Sequence, residues 1–196
     1  MKKGLIVILV ILAIVLIGGC QACNLNNSMV TLQTNVEAKW GEVENQYQRR
    51  SDLIPNLVNT VKGAADFEKS TLTDVINARA SATQIKVDPK DLSPEKIQEF
   101  QQAQGQLSQA LGRLMVVSER YPQLTATKNF SDLQVQLEGT ENRITFARKN
   151  FNEAVQEYNT KIRKFPNNML AGMFGYKEKG MFKAEAGAEK APTVSF

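Results

Sequence analysis

The residues best placed to do chemistry in this chain are arginines and carboxylates, because it has no histidine and only two cysteines. Without imidazole, a Ser-His-Asp or Cys-His nucleophile, a His-ligated metal and a Glu-x-x-His di-iron bundle are unavailable. Catalysis by carboxylates or lysines remains. Glu138 and Glu141 fall on adjacent positions of one helical face, the spacing of an acid and base pair, yet no glycine-rich phosphate loop or metal cluster accompanies them. With Arg50 and Arg143 at hand, salt-bridge duty is the simpler reading. Arg49, Arg50 and Asp52 admit either an anion-binding site, since guanidinium grips phosphate or carboxylate bidentately, or a packed structural pair. No catalytic, cofactor-binding or metal-ligating residue is assigned, and no cofactor is called for. The formal charge of +4 over 196 residues is too mild and too scattered for a nucleic-acid partner.

Both cysteines lie at the start. Met1-Lys2-Lys3-Gly4 precedes the aliphatic run Leu5 to Ile17, and Gly18-Gly19-Cys20-Gln21-Ala22-Cys23 follows. A membrane span needs roughly 17 to 25 apolar residues, and a run of about 10 to 14 is more typical of a signal peptide. Counting the uncharged flanks, residues 4–23 would cover about 30 Å as a helix, enough for a hydrocarbon core. Ile17-Gly18-Gly19-Cys20 has the form of a lipobox, which makes Cys20 a lipidation candidate. An uncleaved transmembrane helix and a lipoprotein signal both stay open, and either anchors the chain. Lys2 and Lys3 are the only charges before Glu37. The positive-inside rule therefore holds the N-terminus in the cytosol and sends the remainder across the membrane. With no cysteine after Cys23, the exported part must hold itself together by its core.

Four helices are expected to build that core. Val36, Trp40, Val43, Tyr47, Arg50, Ile54, Leu57 and Val61 alternate at spacings of four and three, which only a helix places on one side. This helix is predicted over 28–63, with upward continuation from the anchor left open. Pro55 within it removes a donor and crowds the Ser51 carbonyl, so a bend is expected, with Asn56 and Asn59 available to satisfy freed groups. A second, weaker helix carries Phe67, Leu72, Val75, Ala78 and Ala82. Lys86 to Ser93 reads as a loop, and Ser93-Pro94-Glu95 as a helix start with Ser93 capping. The third helix shows Ile97, Phe100, Gln104, Leu107, Leu111 and Leu114, and should stop near Arg120 because Pro122 disfavours helix before it. Gln104, the polar break in that stripe, fits a register-setting role. Asn129 is expected to cap the fourth helix, whose stripe runs from Leu133 to Phe165.

Antiparallel pairing of 28–63 with 130–165 places Arg50 opposite residues 141–143. Glu141 is then the acceptor for a buried Arg50, because an unpaired buried charge costs several kcal/mol. Trp40, Tyr47, Phe151 and Tyr158 group in the half nearer the membrane, as core aromatics do.

The run Gln48-Arg49-Arg50-Ser51-Asp52-Leu53-Ile54-Pro55-Asn56-Leu57-Val58, with Val61-Lys62-Gly63 after it, resembles the signature of the LemA family. Trp40 and Val43 stand ahead of it as they do there. Further similar stretches are Glu68 with Leu72, Val75, Ala78 and Arg79, Glu119-Arg120-Tyr121-Pro122, Glu138-Gly139-Thr140-Glu141-Asn142-Arg143-Ile144, and Tyr158-Asn159 with Ile162-Arg163 and Phe165-Pro166. The resemblance implies a bacterial, membrane-anchored, long antiparallel bundle, with no established enzymatic activity and with relatives linked to membrane organisation in magnetosome formation. The Cys20 and Cys23 pair departs from the plain transmembrane helix of many relatives.

The expectation is therefore an all-α chain: a membrane anchor over 1–24, a long antiparallel up-down-up-down four-helix bundle over 25–176 and a flexible tail over 177–196. Arg50, Glu141, Pro55 and Trp40 are its structural residues. Its partners are the membrane, through the N-terminal segment, and other envelope proteins. A homo-oligomer stays open because heptads also zip between chains. The function expected is a non-enzymatic interaction or scaffold component of the cell envelope, with a sensory or small-ligand module as the alternative. The segment Asn168 to Phe182, with aromatics beside lysines, should land near the bilayer, either in the interface or as a cap on the base of the bundle.

Overall fold

A computed structural model describes residues 2–63 and 67–184. The regular structure among these residues is helical throughout: α1 (Lys2–Lys62), α2 (Lys69–Gln84), α3 (Pro94–Ser118), α4 (Pro122–Thr125), α5 (Lys128–Arg163) and α6 (Asn167–Phe174). The helix predicted over 28–63 is the C-terminal part of α1, which runs unbroken for 61 residues, about 92 Å at 1.5 Å per residue. Its first turns expose Ile6, Ile8, Leu9, Ile11, Leu12 and Leu16. Among the described residues no helix is long and apolar enough to cross a membrane, and the aliphatic run Leu5 to Ile17 is by itself shorter than a span.

Helix ends depart from expectation in ways that local chemistry explains. The Ser93 side chain makes no capping bond. Pro94 at the first turn already presets the helical φ, and the Ser93 carbonyl accepts from the Ile97 N–H at 3.1 Å. Asn129 lies inside α5 rather than at its cap. Thr127 caps instead, its Oγ1 accepting from the Phe130 N–H at 3.4 Å. Phe67 precedes α2 and still buries its ring. Pro122 starts the single turn of α4 between α3 and α5.

α1 packs most extensively on α5, and α2 on α3. Trp40 meets Phe151 with ring centroids 5.4 Å apart, and Arg50 meets Glu141, so numbers rise along α1 as they fall along α5. The buried apolar residues form two clusters. The lower one, toward the N-terminus of α1, contains Val36, Trp40, Val43, Tyr47, Ile97, Phe100, Ile144, Phe151, Val155 and Tyr158. The upper one contains Ile54, Leu57, Val61, Leu72, Val75, Leu107, Leu114, Leu133 and Leu137. Between them lie the buried polar residues Arg50, Ser51, Gln104 and Thr140.

The chain after α6 corrects the expectation of a flexible tail from residue 177. Lys179 and Phe182 are buried, and residues 176–183 run extended along α5 toward the polar layer. A sequence with no sustained period cannot make an amphipathic helix, but an extended strap needs none: side-chain amides on the bundle take up its backbone groups. Residues 185–196 of the expected tail lie outside the described residues.

Candidate functional site

The polar layer is built around Arg50, whose side chain is 1% exposed. Its Nη1 donates to Glu141 Oε2 at 2.9 Å and to Ser108 Oγ at 2.8 Å. Its Nη2 donates to Gln104 Oε1 at 2.7 Å and to the Gln104 carbonyl at 3.2 Å. The guanidinium also lies 5.0 Å from the centroid of the Tyr47 ring, a favourable cation–π position. Gln104 Nε2 donates in turn to the Ala82 carbonyl at 3.4 Å. One side chain of α1 thus bonds α3 and α5, and reaches α2 through Gln104. Burial is lopsided, because the Glu141 side chain is 51% exposed. The cation is the buried member and the carboxylate stands at the rim.

Pro55 lies inside α1 and carries no N–H, so the Ser51 carbonyl one turn earlier has no helical partner. The expected local rescue by Asn56 or Asn59 does not occur. The Arg79 Nε of α2 donates to the Ser51 carbonyl at 2.9 Å. A proline on one helix and an arginine on another are thereby a matched pair, and the bond joins α1 to α2 at the level of the Arg50 layer.

An open cleft of about 470 Å³ lies between α1 and the end of α2, lined by Glu44, Gln48, Ser51, Thr83, Lys86 and Gln104 among others. The Ser51 Oγ is buried there without a hydrogen-bond partner. Burial pushes the Glu44 carboxyl above its ordinary range. Among the described residues no group of three or more His, Cys, Asp or Glu could hold a metal.

Lower in the molecule, Trp40 is fully buried. Its ring lies against Phe100 at 5.1 Å and against Phe182 at 6.1 Å in a stacked arrangement. Phe182 and Phe100 are the members of this group that helical periodicity did not associate with Trp40. Tyr158 packs in the same core cluster and donates its hydroxyl to the Lys177 carbonyl at 3.0 Å.

At the base, Ala171 of α6 packs in the same core cluster as Met29 of α1, and the Tyr176 hydroxyl donates to Asn26 Oδ1 at 2.9 Å. Phe165, Met169, Met173 and Phe174 are each half exposed or more. The segment Asn168 to Phe182 therefore divides: its first part leaves apolar side chains uncovered beside the stretch that follows Cys23, and its last part buries Lys179, Gly180 and Phe182. Cys23 is exposed with a free thiol, whereas the Cys20 side chain lies outside the described residues. Glu138 accepts from Gln134 Nε2 at 3.0 Å and is not brought to Arg50.

A family model described as LemA family matches residues 39–196. Magnetosome protein MamQ 2 of Paramagnetospirillum magneticum is 28% identical over 186 residues, covering 86% of this chain and 68% of that protein. Magnetosome protein MamQ of Magnetospirillum gryphiswaldense is 28% identical over 168 residues, covering 77% of this chain and 62% of that protein. Protein LemA of Metamycoplasma hominis is 23% identical over 158 residues, covering 81% and 68%.

Proposed function

The chain belongs to the LemA family, and from that premise we propose that it is a non-enzymatic, single-pass membrane protein acting as an interaction or scaffold component of the bacterial cell envelope. In this reading residues 1–24 are the anchor and residues 25–176 form an up-down-up-down four-helix bundle standing outside the cytosol. The observation that carries it is the continuity of α1. One unbroken helix joins the aliphatic run to the stripe that lines the core, so the bundle cannot turn independently of the segment that anchors it. Lipidation of Cys20 is the alternative form of anchor. The MamQ relatives are named magnetosome proteins, which supports a place on a membrane.

The exposed side chains of α6 fit the same reading. Phe165 just before the helix and Met169, Met173 and Phe174 within it are exposed, Tyr176 after it bonds Asn26, and Lys161, Lys164 and Lys177 are near in sequence. Apolar groups that enter the headgroup region while cations remain with the phosphates characterise an interfacial helix. The test is depth measurement on the full chain in anionic vesicles, with Cys20 and Cys23 replaced by alanine and a spin label at Met173→Cys or Val135→Cys. A label at 173 should be accessible to oxygen and shielded from a water-soluble nickel relaxant, and a label at 135 should show the reverse. Equal nickel access at the two positions would make α6 a cap on the base of the bundle and nothing more.

A second reading, a small-ligand module, has the cleft beside Ser51 in its favour, because an unpartnered buried hydroxyl there is free to receive a polar group.

A further inference from the structure

Three amide side chains on two walls of one groove hold the extended strap by its backbone. Asn159 donates Nδ2 to the Lys179 carbonyl and accepts the Lys179 N–H on Oδ1, both at 2.9 Å. Asn152 does the same to Phe182, again at 2.9 Å in each direction. Gln101 of α3 closes the far end on Lys183, at 2.9 and 3.0 Å. A side-chain amide that satisfies both backbone groups of one residue imitates a β-ladder pair and reads no side chain.

The spacing of the two asparagines matches an extended chain. They are seven residues apart on α5, about 10.5 Å along a helix axis. Lys179 and Phe182 are three residues apart, about 10 Å along a strand. This face of α5 is therefore a measure for any extended peptide running antiparallel to it.

Selectivity comes from the side chains at and between the clasps. Phe182 is 5% exposed, enclosed by Trp40, Phe100 and Phe151, with the Arg148 guanidinium 4.8 Å from its ring centroid. A Cβ on Gly180 would come within 2.6 Å of Pro94 Cα, so glycine alone fits at that step. Lys179 Nζ donates to the Lys90 carbonyl at 2.9 Å, and Met181 turns partly to solvent. The groove accepts Lys-Gly-x-Phe in extended form.

We infer that the groove between α5 and the N-terminal turns of α3 is a peptide-receptor site. It is filled in this chain by its own strap, and it binds a Lys-Gly-x-Phe segment of a partner envelope protein when the strap leaves. The bonds at Lys183 are exposed, so the strap can peel from its outer end, and it hangs from the bundle by Gly175, whose φ of +76° makes a left-handed turn. This rests on the reading of the chain as an interaction component and names its partner class; it does not depend on the form of the anchor.

The test uses full-length chain in detergent and a fluorescent peptide with the sequence of residues 176–184, YKEKGMFKA. Two variants open the groove by different means, Gly180→Ala through the clash with Pro94 and Phe182→Ala through loss of the anchor ring. Each should bind the peptide at least tenfold more tightly than wild type while keeping its helical circular dichroism. Adding Asn152→Ala and Asn159→Ala should abolish that gain, and so should alanine in place of phenylalanine in the peptide. If helical opened variants bind no better than wild type, if the phenylalanine-free peptide binds equally well, or if both variants lose helicity because the strap belongs to the folding core, the inference is wrong.

Discussion

Replacing Glu141 with glutamine is expected to destabilise the fold by about 3 kcal/mol, more than replacing Arg50 with methionine, which is expected to cost about 1 kcal/mol. The order follows from which member of the pair is buried. Arg50 is 1% exposed and Glu141 is 51% exposed. Without the carboxylate, a guanidinium stays in the core with no anion facing it, only neutral amide and hydroxyl oxygens and the Tyr47 ring. Without the guanidinium, the carboxylate at the rim is left to water and a methionine of similar length fills most of the space, so the cost is that of the Gln104 oxygen that loses its donor. The double variant Arg50→Met with Glu141→Gln should therefore be more stable than Glu141→Gln alone. Urea unfolding of the four chains in detergent, followed by circular dichroism, gives the comparison. A double variant no more stable than Glu141→Gln would show that the buried charge is not what Glu141 offsets.

Arg79→Leu is expected to cost about 2 kcal/mol, because it leaves the buried Ser51 carbonyl with no donor. Pro55→Ala should reverse most of that loss. An alanine at 55 carries the amide that proline lacks, and it can donate to the same carbonyl within α1. In the wild-type background Pro55→Ala gains less, since Arg79 already holds the acceptor. The signature is a coupling of about 1 to 2 kcal/mol between sites on different helices, read from the same unfolding curves. Additive effects would mean that Arg79 stabilises α2 by some other contact.

The polar layer was legible to the extent that periodicity reaches. A single arginine on a stripe of spacings four and three must find a carboxylate, and antiparallel pairing of two long helices brings Glu141 to it. That Glu141 would stand half exposed at the rim was not legible, because a stripe gives angle around a helix and not depth at the edge of a bundle. The shared role of Ser108 and Gln104 was equally hidden, since it depends on how far α3 slides along α1. At Pro55 the freed carbonyl could be named from the sequence, but its donor lay on another helix. Proximity in sequence favoured Asn56 and Asn59, whereas geometry favoured an arginine long enough to reach across.

The strap was the least legible element. Residues 176–183 show neither helical period nor the alternation of a strand, because their backbone is held by Asn152, Asn159 and Gln101 rather than by another strand. A pair of asparagines seven residues apart on a helix face was the signal available. It goes unnoticed unless such polar residues are asked what they bond. The expectation that residues near 168–182 return to the base of α1 did meet a structural counterpart, in the contact of Tyr176 with Asn26.

We propose that one continuous helix carries the bundle across the membrane and holds it outside the cytosol. The direct measurement is labelling of spheroplasts with a membrane-impermeant maleimide, using full-length chains in which Cys20 and Cys23 are alanine and a single cysteine is placed at Val135→Cys or Lys3→Cys. Val135 is exposed on α5, and Lys3 lies at the charged start of the chain. The cysteine at 135 should be modified in sealed spheroplasts and the cysteine at 3 only after permeabilisation. Protection at 135 until the membrane is opened would place the bundle in the cytosol and contradict the claim.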